Sequence, residues 1–202
     1  FNVYGTVTGT AGTVNIFNGD AVTGSVGTNV WSCANKQYWI NGATYDFAAV
    51  VDATVAQDTT TKMPTTLTTI ADATSNLEDM LYATASVQNA TADQAPVNFT
   101  FSHLLSKAKF TVTSNAQNGY YHTVTGIKVS NFKTGTYTIA DGSWAGVTAK
   151  DVEFAEIANV TSADTNGKSN AEMLLVPNAA TFNVTFTVDI YKNGTKLGTE
   201  PK

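Results

Sequence analysis

Arginine is missing from this chain: all eleven basic residues are lysines, set against sixteen acidic ones for a net charge of -5 and a pI near 4.8. Nucleic-acid recognition relies on basic patches and on the guanidinium fork, so a nucleic-acid partner is excluded on chemistry. Cysteine is nearly absent too. The one thiol, Cys33, rules out an internal disulfide and reads as a free structural residue. No apolar run reaches eighteen residues and no charged-then-apolar leader is present, so the sequence as it stands holds neither a membrane span nor an intact signal peptide. It opens at Phe1 within an alternating segment, which gives the expectation of a trimmed N-terminus whose export signal lay upstream. Charged residues make up only 13%, about half the usual share.

What fills the chain instead is 43% hydrophobic residues and a polar remainder dominated by Thr, Asn, Ser and Gly. A β-branched hydroxyl side chain suits the solvent face of a sheet, and such a surface is typical of exported all-β proteins. The organising stretch is residues 97–114, where apolar and polar residues alternate as in a half-buried strand. Val97, Phe99, Phe101 and Leu105 hold odd positions, whereas Ala108, Phe110 and Val112 hold even ones. A period of two cannot change phase without an inserted residue or a bend. The sequence therefore predicts a bulge between His103 and Lys107, where the strand passes from one sheet to another.

Read in order, residues 1–25 form hairpins punctuated by Gly9, Gly12 and Asn18-Gly19. Residues 30–40 and 44–51 read as a hairpin about a type I′ turn at Asn41-Gly42. The Thr-rich residues 52–75 read as a long surface connection with at most one weak edge strand. Ser75 and Glu78 match a helix capping box, predicting a short helical turn that leads into a strand. Residues 90–96 are small, polar and proline-terminated, the expected linker between domains. Beyond it come more strands, with Asp141-Gly142 and Asn193-Gly194 as turn dipeptides.

Chemistry is harder to find. There is no Gly-x-Ser-x-Gly elbow, and Gly167-Lys168-Ser169 lacks the first glycine of a phosphate loop because position 162 is Ser. His103, His122 and Cys33 show none of the close spacings of zinc sites, and the bland readings are a strand histidine bonded to a backbone carbonyl and a surface-turn histidine. Asp151 and Glu153 share a strand face, with a solvated role as their simplest one. The expectation is no catalytic residue, no metal and no cofactor. Trp31, Tyr38, Trp39 and Tyr45 form the best binding candidate, since exposed rings stack on sugar faces, although alternation sets Trp39 opposite Tyr38 and core packing competes.

The last candidate is an edge. Phe182, Val184, Phe186, Val188 and Ile190 point to one side, and Asn193-Gly194 should turn the chain back along them. The return arm is short and carries Gly198 and Pro201, so the strand is expected to keep an incompletely paired edge, open to a strand from another subunit.

The ordered set Phe99, Phe101, His103, Leu104, Leu105, Lys107, preceded by Phe1-x-Val3, Tyr38-Trp39, Tyr45-x-Phe47-x-Ala49 and Met80-Leu81-Tyr82-Ala83 and followed by Leu174-Leu175-x-Pro177, resembles the Bacteroidales fimbrillin family of type V pilins and fimbrillin-like surface proteins. The resemblance spans almost the whole chain. It implies an all-β fold of two consecutive, transthyretin-like β-sandwich domains, here residues 1–95 and 96–202. It further implies lipoprotein export, an extracellular place in a fimbrium at the outer membrane, and a structural or tip-adhesin role with other pilin subunits as partners, joined by strand exchange. The sequence departs from the family pattern in two respects: no lipobox precedes Cys33, and no arginine offers a basic protease site. The alternative is a surface carbohydrate-binding lipoprotein module with host or bacterial glycans or proteins as partners. An enzyme ranks third.

Overall fold

The computed structural model describes residues 1–28, 30–71, 76–177 and 181–202, and these are all-β, with no helix among them. In chain order the strands are β1 (Asn2–Gly9), β2 (Gly12–Ser25), β3 (Val30–Cys33), β4 (Thr44–Val51), β5 (Ala53–Gln57), β6 (Pro64–Thr69), β7 (Leu81–Val87), β8 (Ser102–His103), β9 (Ser106–Ala108), β10 (Thr111–Val112), β11 (Tyr120–Thr138), β12 (Ser143–Glu153), β13 (Ile157–Val160), β14 (Lys168–Ser169), β15 (Met173–Leu175), β16 (Val184–Lys192) and β17 (Thr195–Pro201). The chain divides into two compact units: Phe1–Asp72, Glu78–Leu104 and Thr136–Trp144 make the first, and Ala73–Leu77, Leu105–Gly135 and Ala145–Lys202 the second.

In the first unit a six-stranded sheet runs β3-β2-β1-β4-β7-β8. Its register sets Val7 beside Tyr45 and Tyr45 beside Val87, then Gly5 beside Phe47 and Phe47 beside Ala85. These residues share one face, where Val7, Tyr45, Phe47 and Ala90 are buried and Trp39, Val97 and Phe99 pack on them. Gly5 is needed for its size, since a Cβ there would lie 2.9 Å from the Phe47 ring.

Three local expectations fail in this unit. The turn at Asn41-Gly42 does not join β3 to β4, because β4 pairs with β1 and β7 instead. Only Gly42 has positive φ (+77°), and a type I′ turn needs two such residues. The Thr-rich stretch is no surface connection: β5 and β6 pair as a hairpin, Leu67 and Thr69 are buried, and β6 also pairs with the end of β11. Residues 76–80 are not helical, although Ser75 of the expected capping box lies outside the described residues. The Glu78 N–H instead donates to the Ile70 carbonyl at 3.0 Å.

The organising stretch changes its allegiance where its phase changes. Val97 and Phe99 pack on the first core, whereas Ala108, Phe110 and Val112 pack on the second. The boundary between units falls at Leu104 and Leu105, inside the window assigned to the bulge. It is not one strand, however. Residues 95–101 form no ladder, and the remainder is split into β8, β9 and β10, which pair with β7, β15 and β14. Ala90, expected in a linker, is 1% exposed, and it exchanges backbone bonds with Gly42 and Ala43 at 2.9 Å each inside the first unit.

The second unit is built on β11, which pairs with β16, β12 and β13. Its core collects Val124, Ile127 and Val129 from β11 with Phe154, Ile157, Val160 and Leu175. Phe186 and Val188 of β16 pack on that core, partly buried.

Candidate functional site

Burial separates the aromatic group, whose Tyr38 and Trp39 lie between β3 and β4 and in neither strand. Trp39 turns inward and sits edge-on to Tyr45 with ring centroids 4.6 Å apart, while Tyr45 stacks on Phe47 at 6.1 Å. Tyr45 is 2% exposed, and its hydroxyl accepts from the Ile40 N–H at 2.8 Å and donates to the Tyr38 carbonyl at 3.0 Å. These two rings are packing residues. Tyr38 points the other way, 87% exposed. Trp31 lies against Phe1 at 5.6 Å and lines a different cleft of about 500 Å³ with Val51, Leu81, Phe99 and Phe101. The four rings therefore make no shared platform for a sugar.

The edge expectation needs a correction. Asn193 and Gly194 both take positive φ (+47° and +84°), as a type I′ turn requires, and β17 returns along β16 from Thr195 opposite Lys192 to Pro201 opposite Thr187. Residues 186 and 202 exchange two further backbone bonds, at 2.8 and 3.2 Å. With β11 on its other side, β16 is paired along both edges from Phe186 to Lys192, so Phe186, Val188 and Ile190 do not form an open-edge strand; Val184 lies beyond the end of β17 and pairs with β11, and Phe182 lies outside β16. The reasoning failed because a ladder needs backbone groups and no apolar side chains. A register shift at Ile190/Tyr191 accommodates the weak residues, and Pro201 sits on the outermost strand, where a missing N–H costs little.

A polar anchor holds this arm. Lys196 Nζ lies 2.8 Å from Asp189 Oδ1, and the Thr199 hydroxyl donates to the same oxygen at 2.7 Å. The bond from Lys196, then that from Thr199, hold the Asp189 carboxyl below the usual carboxylate range, and the same contact raises Lys196.

What remains open beside β16 is a face. Phe186 and Val188 are only half-buried, and with Val112, His122 and Val124 they border an open cleft of about 530 Å³. Its other wall is residues 111–115, led by β10, which pairs only with β14 among the described residues. The Ser114 hydroxyl and His122 Nδ1 are 2.8 Å apart, tying this wall to β11. The cleft thus has half-buried apolar side chains for a floor and residues 111–115 for a wall. Sequence reasoning found the side chains and missed the wall, because the two lie far apart along the chain.

The histidines have other partners than expected. His103 Nδ1 is 2.8 Å from Asp79 Oδ2, and His122 belongs to β11 instead of a surface turn. Glu153 pairs with Lys128 at 2.8 Å and Asp151 accepts from the Ser130 hydroxyl at 3.1 Å, so both strand carboxylates are engaged across to β11. Among the described residues no three His, Cys, Asp or Glu side chains gather as metal ligands would.

Comparison with known proteins adds the family. In fold the chain is similar to a fimbrial protein from Bacteroides vulgatus ATCC 8482, with a TM-score of 0.70 and 16% identity over 100% of this chain and 80% of that one. Weaker similarity extends to the fimbrial anchor protein Mfa2 from Porphyromonas gingivalis, with a TM-score of 0.43 and 12% identity over 98% of this chain and 73% of that one. A putative adhesin from Bacteroides ovatus gives a TM-score of 0.38 and 10% identity over 98% and 67% of the two chains. No curated protein matches in sequence. The fimbrillin-like family matches residues 1–201, and the chain belongs to that family.

Proposed function

We infer that the protein is a structural subunit or tip adhesin of a bacterial cell-surface fimbria, and that it joins other fimbrial subunits by strand exchange. The observation that carries the assembly step is the cleft between residues 111–115 and the half-buried Phe186 and Val188. A strand added there gains backbone bonds from the open edge and seats alternate side chains on the apolar floor, the physics of β-augmentation. Membership of the fimbrillin-like family supports the cellular role.

A glycan-binding module would need rings and hydrogen-bonding groups converging on one surface. Trp39 and Tyr45 are committed to the core, so no observation favours that alternative. Electron microscopy of the native cell surface with gold-labelled antibody tests the fimbrial reading. Labelled filaments are expected; label spread over the envelope without filaments would overturn it.

A further inference from the structure

Tyr121 and Tyr191 stand directly opposite each other on β11 and β16. Their rings are parallel to within 3° with centroids 4.9 Å apart, an offset stack that sets carbons of one phenol against carbons of the other. Among the described residues this is the one ring contact that joins two tyrosines. Both residues are half-buried, so the stack is held by the ladder and still reaches solvent.

The strands that carry this pair hold the second unit together. β11 supplies Val124, Ile127 and Val129 to the core, and β16 packs Phe186 and Val188 on it. Cys33 is the sole thiol, so no disulfide within the chain can tie these strands. Directly opposed residues keep their Cβ atoms about 4.5–5.5 Å apart. Two groups so held react as though each were at a very high local concentration.

We propose that Tyr121 and Tyr191 form a site of oxidative modification, joined as dityrosine when the protein meets hydrogen peroxide and a haem peroxidase. Each phenol gives up one electron and its hydroxyl proton, leaving a phenoxyl radical whose unpaired electron is shared with the ortho ring carbons. The two radicals pair in a carbon–carbon bond between ortho positions. Each joined carbon then releases its hydrogen as a proton, and its oxygen takes one up from water, which restores both phenols. In all, the pair loses two hydrogen atoms, and the peroxide that accepts them is reduced to two molecules of water. The link closes residues 121–191 into a covalent loop, which restricts the unfolded chain and tethers β16 to β11. Tyr38, the most exposed tyrosine at 87%, has no ring contact among the described residues, so its coupling would join separate copies instead. The tie acts within one chain and needs no filament, so it stands apart from the assembly step.

The test exposes the full-length protein to hydrogen peroxide and a haem peroxidase at several protein concentrations. Expected are an intact mass lower by two hydrogens, dityrosine fluorescence whose yield per chain is unchanged by dilution, and, after digestion, a peptide pair joined through positions 121 and 191. Tyr121→Phe and Tyr191→Phe keep the stacked ring and remove the reacting hydroxyl. Each should fold as wild type and lower the yield within the chain by roughly tenfold or more, whereas Tyr38→Phe should leave it unchanged. Oxidised wild type should unfold in urea roughly tenfold more slowly than untreated protein. Tyr121→Phe should unfold at one rate before and after treatment. A yield that rises with protein concentration, joined peptides from other tyrosines in place of this pair, full fluorescence in either Phe variant, or an unfolding rate indifferent to the cross-link would overturn the proposal. If thermal unfolding shows both Phe variants to be misfolded, the presence or absence of the joined 121–191 peptide in wild type decides alone.

Discussion

The side-chain amide of Asn131 closes a two-bond ring with the backbone of Val176: Nδ2 donates to the Val176 carbonyl at 3.1 Å, and the Val176 N–H donates to Oδ1 at 2.9 Å. Both residues are buried, so the amide stands in for a missing rung of sheet. Asn131→Leu should leave two buried backbone groups without partners. At about 1–3 kcal/mol for each unsatisfied group, a loss of about 2–6 kcal/mol is expected in urea unfolding. A change below about 1 kcal/mol would mean that water reaches Val176.

Asp189 makes the attachment of β17 dependent on pH. Its carboxyl is held below its ordinary range by Lys196 and Thr199, so the stabilisation is present above the unfolded-state value and is lost as pH falls through the lower, folded one. Amide protection across β17, taken relative to the intrinsic exchange rate at each pH, should therefore fall in acid, below the ordinary carboxylate range, before that of the core of the second unit. Asp189→Asn should make exchange in β17 fast already at neutral pH and remove its acid dependence. Exchange that stays slow in the variant would show that the backbone ladder alone holds the arm.

Leu67 provides a check on the least legible part of the fold. It is fully buried in β6, within a segment whose composition reads as a polar loop. Leu67→Ala should cost about 2–5 kcal/mol, as for other buried leucines. A cost near zero would restore the surface-connection reading of residues 52–75.

That segment marks the limit of what sequence reveals here. Alternation is local, so the change of core near Leu104 could be read from residues 97–114 alone, although the single strand it suggested there is broken into β8, β9 and β10. Threonine hides its role, because a β-branched side chain packs in a sheet as readily as it faces water; Thr69 is buried beside Leu67 for this reason. Pairing is not local. Asn193-Gly194 makes its hairpin because the next residues are the partner strand, whereas Asn41-Gly42 delivers β4 to β1, more than thirty residues back in sequence. The open cleft combines β10, β11 and β16, and only the tertiary fold brings them together.

Tyr38 and Trp39 are neighbours in sequence and opposite in environment, so a matched pair of substitutions separates packing from recognition. Trp39 is held edge-on between Tyr45, at 4.6 Å, and Phe47, at 6.3 Å, and these rings belong to the first core. Removing it should cost about 3 kcal/mol, the low end for a buried aromatic because part of the ring meets solvent. Tyr38 contributes its carbonyl to the Tyr45 hydroxyl, a bond that any residue at this position can make. Tyr38→Ala should therefore leave urea unfolding within about 0.5 kcal/mol of wild type. Glycan-array binding gives the second readout. If the exposed ring takes part in recognition, Tyr38→Ala loses binding at unchanged stability; if the aromatic group is packing alone, Trp39→Ala lowers stability and neither change alters the array. The environments of the two rings favour the second outcome, and a binding loss confined to Tyr38→Ala would move the functional assignment from assembly towards adhesion.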